Sequence, residues 1–155
     1  GMCVTSVRPA SFFSNVLHSV NRLVSEGVYS SPVSPTARVN WVSPEDIAAV
    51  SVSALTSTAL FPIALKVLDV LGPEENTVCG QELLQLLEKN PNLQQRNQHS
   101  PPLIYQELPP PPVEDYAGLF SFLNEGGFAA HRPLLPLVNK PGASFGHFLQ
   151  GLALE

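Results

Sequence analysis

Few residue groupings in this chain could do chemistry, and the most suggestive is Gly142-Ala143-Ser144-Phe145-Gly146. It fits G-x-S-x-G, the hydrolase nucleophile elbow, and His147 follows directly. That elbow must leave a central strand, and an acid and then a histidine must come after it, yet Gly146 stands nine residues from the end. Ser144 therefore reads as a helix cap after the Pro141-Gly142 turn. His18, His99, His131 and His147 share no metal-ligand spacing with Cys3, Cys79 or the carboxylates, so no metal site is expected. Glu107, Glu114 and Asp115 surround prolines 109–112 and could be an acid/base pair, although solvated charges beside a rigid spacer are the ordinary reading. The P-x-x-P lacks the nearby Arg or Lys that SH3 ligands usually add. There remain Arg8, Phe12, Phe13 and Asn15, where a strand gives way to a helix. Open α/β sheets take their ligands at such strand ends. The competing reading makes Phe12 and Phe13 core residues of the helix and Asn15 an exposed or capping one.

The elements that must position this corner follow from pattern. Residues 3–7 are a β-branched run that enters as a strand, and Pro9 should end it. Across residues 11–26 apolar side chains recur at three and four, predicting one helix stopped by Gly27. Residues 29–36 read as a Ser/Pro loop and 37–42 as a short extended piece. Ser43-Pro44-Glu45-Asp46 is a helix start, with a capping hydroxyl, proline at the first helical position and acids at the positive end of the dipole. Residues 66–71 make another strand, closed at Gly72-Pro73. Residues 81–89 make an amphipathic helix ended by Asn90-Pro91, and residues 92–100 a polar loop. A strand over 103–108, a helix over 114–124 broken at Gly126-Gly127, and a short helix over 144–152 complete the list.

Strands alternating with helices imply an α/β layered arrangement. Three short strands make a poor parallel sheet alone, since such sheets are normally covered on both faces, so part of the sheet lies elsewhere.

Composition sets the outer bounds. A chain of 155 residues is expected to be one domain, residues 1–155, with one contiguous core. Apolar residues make up 44% and charged residues 14%, against roughly 25% charged in an average soluble domain, so much surface must be buried or shared. With net charge −5 and eight scattered basic residues, nothing could neutralise a phosphate backbone, and nucleic-acid binding is disfavoured. Two cysteines form neither a disulfide framework nor a C-x-x-C pair, so a reducing, cytoplasmic setting is expected. The uncharged stretch 47–65 reaches spanning length, but its serines, threonines and Pro62 argue for a buried helix and against a membrane partner. Gly1 ahead of Met2 reads as an expression remnant, and no secretory leader is expected.

Several motifs, in order, resemble one family. Arg8-Pro9-Ala10-Ser11-Phe12-Phe13-Ser14-Asn15 is similar to the R-P-x-x-F-x-x-N signature of NmrA-like and isoflavone-reductase-like atypical short-chain dehydrogenases. Trp41-Val-Ser-Pro-Glu-Asp46-Ile-Ala-Ala-Val50 with Ala54-Leu55 resembles their V-x-x-x-D-I-A-x-V…A-L helix. Val67-Leu-Asp-Val-Leu-Gly72-Pro73-Glu74 resembles their Y-x-L-x-G-P-E turn, Leu103 to Glu107 with Glu114-Asp-Tyr116 a later strand and helix start, and Phe145-x-x-Phe148-Leu149 the closing T-F-x-x-F-L helix. Gly80 stands where that family usually has an acidic residue.

The resemblance covers the C-terminal half of such proteins. It implies a partial Rossmann-like sheet over 1–89 and a helical substrate-side region over 90–155. It also implies that Arg8, Phe12, Phe13 and Asn15 face the nicotinamide and substrate. The implied parent function is an NAD(P)H-dependent reductase or redox-sensing regulator. No G-x-G-x-x-G run occurs, so tight NAD(P) binding by this chain alone is not expected. The alternative is a non-catalytic interaction module whose open sheet edge is covered by a second copy or another protein.

Overall fold

A computed structural model describes residues 4–57, 67–94, 102–110, 114–127 and 142–153. Its strands are β1 (Ser6–Pro9), β2 (Ser11–Phe12), β3 (Val28–Ser31), β4 (Val39–Val42), β5 (Val67–Val70), β6 (Thr77–Val78) and β7 (Ile104–Glu107). Its α-helices are α1 (Val20–Glu26), α2 (Pro44–Thr56), α3 (Gly80–Leu87), α4 (Pro91–Gln94), α5 (Glu114–Asn124) and α6 (Phe145–Gly151). The arrangement is the expected α/β mixture, with small sheets. β1 pairs parallel with β5, β3 parallel with β7, and β4 lies between parallel β2 and antiparallel β6. Among the described residues neither β1 nor β5 has a second neighbour.

The structure corrects the sequence reading at several elements. The first strand starts later than expected, at Ser6, and Pro9 is its last residue; Ala10 N–H still donates to Val70 O at 2.9 Å, so by the alternation of a strand the missing Pro9 N–H faces away from β5. The expected helix over 11–26 is instead β2, then a 3-10 helix over Phe13–Ser19, then α1. The supposed loop at 29–36 contains β3. Its Tyr29 packs into the core, and the strand forms because β7, seventy-odd residues later, offers a parallel edge. Pro91 and residues 92–94 of the expected polar loop form one helical turn, capped by Asn90 Oδ1 accepting from Asn92 N–H at 2.9 Å.

The helix starts behave as their sequences dictate. Ser43 Oγ accepts from Asp46 N–H at 3.0 Å and caps α2, while Ser144 Oγ accepts from His147 N–H at 3.3 Å and caps α6. Gly27 closes α1 at φ 76°, a left-handed turn that glycine adopts freely.

Among the described residues the buried apolar side chains form two clusters and not the one contiguous core expected. The larger joins Phe13, Val16, Leu23, Tyr29, Trp41, Leu83, Leu87, Phe145 and Leu149, and the smaller joins Ala10, Val42, Val50, Leu68, Val70 and Leu71. Buried polar side chains stitch the parts. Asn40, in fully buried β4, accepts from Gly72 N–H at 2.8 Å and donates to Thr77 Oγ1 at 2.9 Å. Asp46 Oδ2 accepts from Ala143 N–H at 2.8 Å and ties α2 to the approach to α6. Asn90 Nδ2 donates to the carbonyls of Leu149 and Leu152, which an α6 terminus would otherwise leave unpaired.

Candidate functional site

The 3-10 helix decides which way the Arg8 to Asn15 corner faces. Its seven residues exceed the three or four usual for this helix, and at three residues per turn side chains three apart eclipse one another. Phe13, Val16 and Ser19 therefore form one buried ridge, and Phe12, Asn15 and His18 form another that lines a hollow of about 570 Å³. Phe13 is core, its ring centroid 5.0 Å from that of Phe145 and 5.2 Å from that of Phe148. Ser19 Oγ donates to Ser30 O at 2.6 Å and accepts from Ser30 N–H at 3.2 Å, which fixes the ridge against β3.

The hollow sits at the carboxyl end of β1 and along β3. Pro9, Ala10 and Ser11 form one wall, and Tyr29 to Ser34 another. Trp41 and Val39 of β4, with Tyr105 of β7, form the base, and Leu119, Phe120 and Leu123 of α5 the far side. Cys79 and Gly80 border it at the start of α3. A Cβ on Gly80 would lie 2.6 Å from the Tyr105 ring and 2.9 Å from Pro35 Cα. That contact excludes the acidic residue expected there by resemblance.

Two phenols lie within the hollow, with ring centroids 5.4 Å apart. Tyr105 Oη donates to Val33 O at 2.8 Å, and burial pushes its proton affinity up. Tyr29 is 4% exposed, and burial pushes its phenol far above the ordinary value, with the neighbouring Tyr105 adding a smaller push. Both stay neutral donors at physiological pH.

The four residues expected to line the ligand corner are thus separated. Phe12 and Asn15 border the hollow; Phe13 is packed beneath it; Arg8 lies outside it. Arg8 faces its register partner Asp69 across β1 and β5 and donates from Nε at 2.7 Å and Nη2 at 3.0 Å, a two-pronged ion pair on the sheet surface. Tyr29 and Tyr105 border the hollow without having been weighed as site residues in the sequence, and His18 and Cys79, weighed there only as metal ligands, border it too. The spacing Phe12, Asn15, His18 was the available signal, hidden because a 3.6-residue period fits the same apolar pattern.

No three His, Cys, Asp or Glu side chains are grouped as metal ligands among the described residues. Ser144 and His147 meet only through the cap, and the His99 and His131 side chains lie outside the described residues, as do those of Glu114 and Asp115. No helix among the described residues is long and apolar enough to cross a membrane.

Searched against protein-family models and curated proteins, the chain matches none. Among solved structures, a nucleoside-diphosphate-sugar epimerase from Staphylococcus aureus is similar, with a TM-score of 0.65 and 18% identity over 94% of this chain and 51% of that one. The fold is Rossmann-like. This chain spans about half the length of that structure. In the Rossmann-like frame, the hollow occupies the region outside the carboxyl ends of parallel strands, where such folds place ligands.

Whether the described residues could also grip a dinucleotide is answered by their glycines. A pyrophosphate cradle needs a glycine turn between a strand and a helix N-terminus. The positive-φ glycines are Gly27, Gly126 and Gly127, which follow α1 and α5, and the turn after β1 reads Ala10-Ser11. These residues do not fit a pyrophosphate.

Proposed function

We propose that the chain is the substrate-side portion of an NmrA-like, NAD(P)H-linked reductase or redox-sensing regulator, and that its hollow receives that protein's small-molecule ligand. The observation that carries this reading is the position of the hollow, at the carboxyl ends of parallel strands in a Rossmann-like fold. The ordered motifs supply the family, and Phe12 and Asn15 on the hollow's rim supply the corner that would meet the nicotinamide end of the cofactor. The pyrophosphate would be gripped by residues other than those described here. The absence of a disulfide framework supports a cytoplasmic setting.

Hydrogen exchange with NADPH tests it. Millimolar NADPH is expected to protect residues 8–15 and to bind weakly. No heat of binding and no thermal shift at that concentration would overturn the cofactor part of the reading.

A second reading has its own observation. Val52 and Leu55 of α2 are exposed, Leu55 at 87%, and among the described residues no further strand flanks the β1–β5 pair. An interaction module would use these to join a second copy or a partner protein. Sedimentation giving a well-folded monomer removes that reading.

A further inference from the structure

We infer that the hollow takes an uncharged, mostly apolar molecule carrying a hydrogen-bond acceptor, and that the Tyr29 hydroxyl is the group that holds this acceptor. The inference rests on the ligand-site part of the function proposed above and not on its cofactor part. Tyr29 lines the hollow at 4% exposure, and its hydroxyl makes no hydrogen bond among the described residues. Its neighbour Tyr105 spends its own hydroxyl on Val33 O. The Tyr29 hydroxyl is not among the side-chain atoms sealed from solvent without a partner, so it opens into the hollow, and a molecule that displaces water there must replace the acceptor that water provides. An acceptor brought by a ligand supplies that partner. With burial holding its proton on, Tyr29 donates across the whole physiological range.

Charge settles the rest of the class. No Lys, Arg, Asp or Glu lines the hollow among the described residues, so an ionic ligand would be desolvated against apolar walls with no counter-charge. The start of α3, on the rim, is closed to anions. Cys79 N–H already donates to Glu82 Oε2 at 2.9 Å and Gly80 N–H to Pro35 O at 2.9 Å, and Glu82 brings its own negative charge. A nucleoside diphosphate sugar would meet hydroxyl and amide donors here but no Lys or Arg among the described residues to balance its phosphate charge.

Calorimetry and quenching of Trp41, which lines the hollow and is the chain's one tryptophan, give the test. The probes are acetylnaphthalene, an uncharged ketone; ethylnaphthalene, of similar shape without the acceptor; and UDP-glucose. The ketone is expected to bind more tightly than the hydrocarbon and to quench Trp41, and UDP-glucose neither to bind nor to displace it. Tyr29→Phe should weaken the ketone about tenfold and leave the hydrocarbon unchanged. Should that variant fail to fold, the carbonyl stretch of the ketone bound to the native chain decides. A lowered frequency supports the donated hydrogen bond, and a frequency equal to that in hexane overturns it. Binding of UDP-glucose in competition with the ketone, no ketone binding, or equal weakening of both naphthalenes by Tyr29→Phe would each overturn the inference. An unresponsive NADPH arm beside an intact ketone arm removes the cofactor reading alone.

Discussion

Asn76 and Phe145, 69 residues apart, are joined by a buried hydrogen bond in which Asn76 Oδ1 accepts from Phe145 N–H at 2.9 Å. The same amide donates from Nδ2 to Trp41 O at 3.1 Å and to Ala143 O at 2.8 Å. One fully buried side chain thereby holds β4, the turn after β5 and the start of α6 together, and keeps Trp41 at the base of the hollow.

Replacing it exposes that role. Asn76→Ala leaves an N–H and two carbonyls without their partner, and a loss of about 3 kcal/mol in unfolding free energy is expected. Urea denaturation measures it. Asn76→Asp keeps an acceptor for Phe145 and loses both donors, so it too should be destabilised.

Phe145 is wholly buried. Its ring stacks on Trp41 with centroids 4.6 Å apart and planes 8° from parallel, and it also packs against Phe13. Phe145→Ala should lower stability by about 3–5 kcal/mol through lost burial and the cavity left behind. Because Trp41 borders the hollow, its fluorescence should shift in the same variant under native conditions.

Two glycines should respond in opposite directions to the same substitution. A Cβ on Gly72 would lie 2.0 Å from Trp41 O and 2.7 Å from Asn76 Nδ2, so Gly72→Ala must displace backbone and is expected to cost more than about 3 kcal/mol. Gly118 lies within α5 with nothing within 4 Å of such a Cβ. Gly118→Ala should raise stability by about 0.5–1 kcal/mol. Thermal melts of the pair check both signs.

Glu82 carries a pH signature. The backbone N–H of Cys79, and after it the Arg38 guanidinium at 3.0 Å, hold its carboxyl below the usual range. A depressed folded value gives stability that is present above the unfolded value, near 4.5, and is lost as pH falls through the folded one. The native chain should therefore lose more stability than Glu82→Gln between about pH 5 and about pH 3. The group is largely exposed, so salt should shrink the difference.

Tyr29 gives the alkaline counterpart. Its raised folded value means stability that is intact below the unfolded value of 10.0 and falls as pH rises beyond it. Tyr29→Phe should flatten the stability curve above about pH 10. Denaturation at graded alkaline pH, with equal slopes for both proteins as the contrary result, checks it.

How much of this was legible beforehand varies with the range of the forces involved. The starts of α2 and α6 were readable because a serine three residues ahead of a free N–H is a local arrangement. β5, β7, α3 and α5 were readable from their own periodicity. β3 was not, since Val28-Tyr29-Ser30-Ser31 becomes a strand only by pairing with β7. The corner named from the strand end is split by the fold: Phe12 and Asn15 border the hollow and Arg8 does not. Asn15 and Phe12 were named from the strand end, whereas Arg8 was drawn off by Asp69, a residue 61 positions away that no local pattern could assign to it.

The sequence by itself determined the α/β alternation, the helix caps, the lack of a glycine cradle and the scarcity of charge, because each depends on neighbours within a few residues or on composition alone. Only the tertiary structure decided that residues 13–19 wind at three per turn, that Tyr29 and Tyr105 meet, and that they border a hollow with no Lys, Arg, Asp or Glu among its described lining. Those outcomes depend on which distant surfaces compete to bury the same side chains, and that competition is settled when the strands pair.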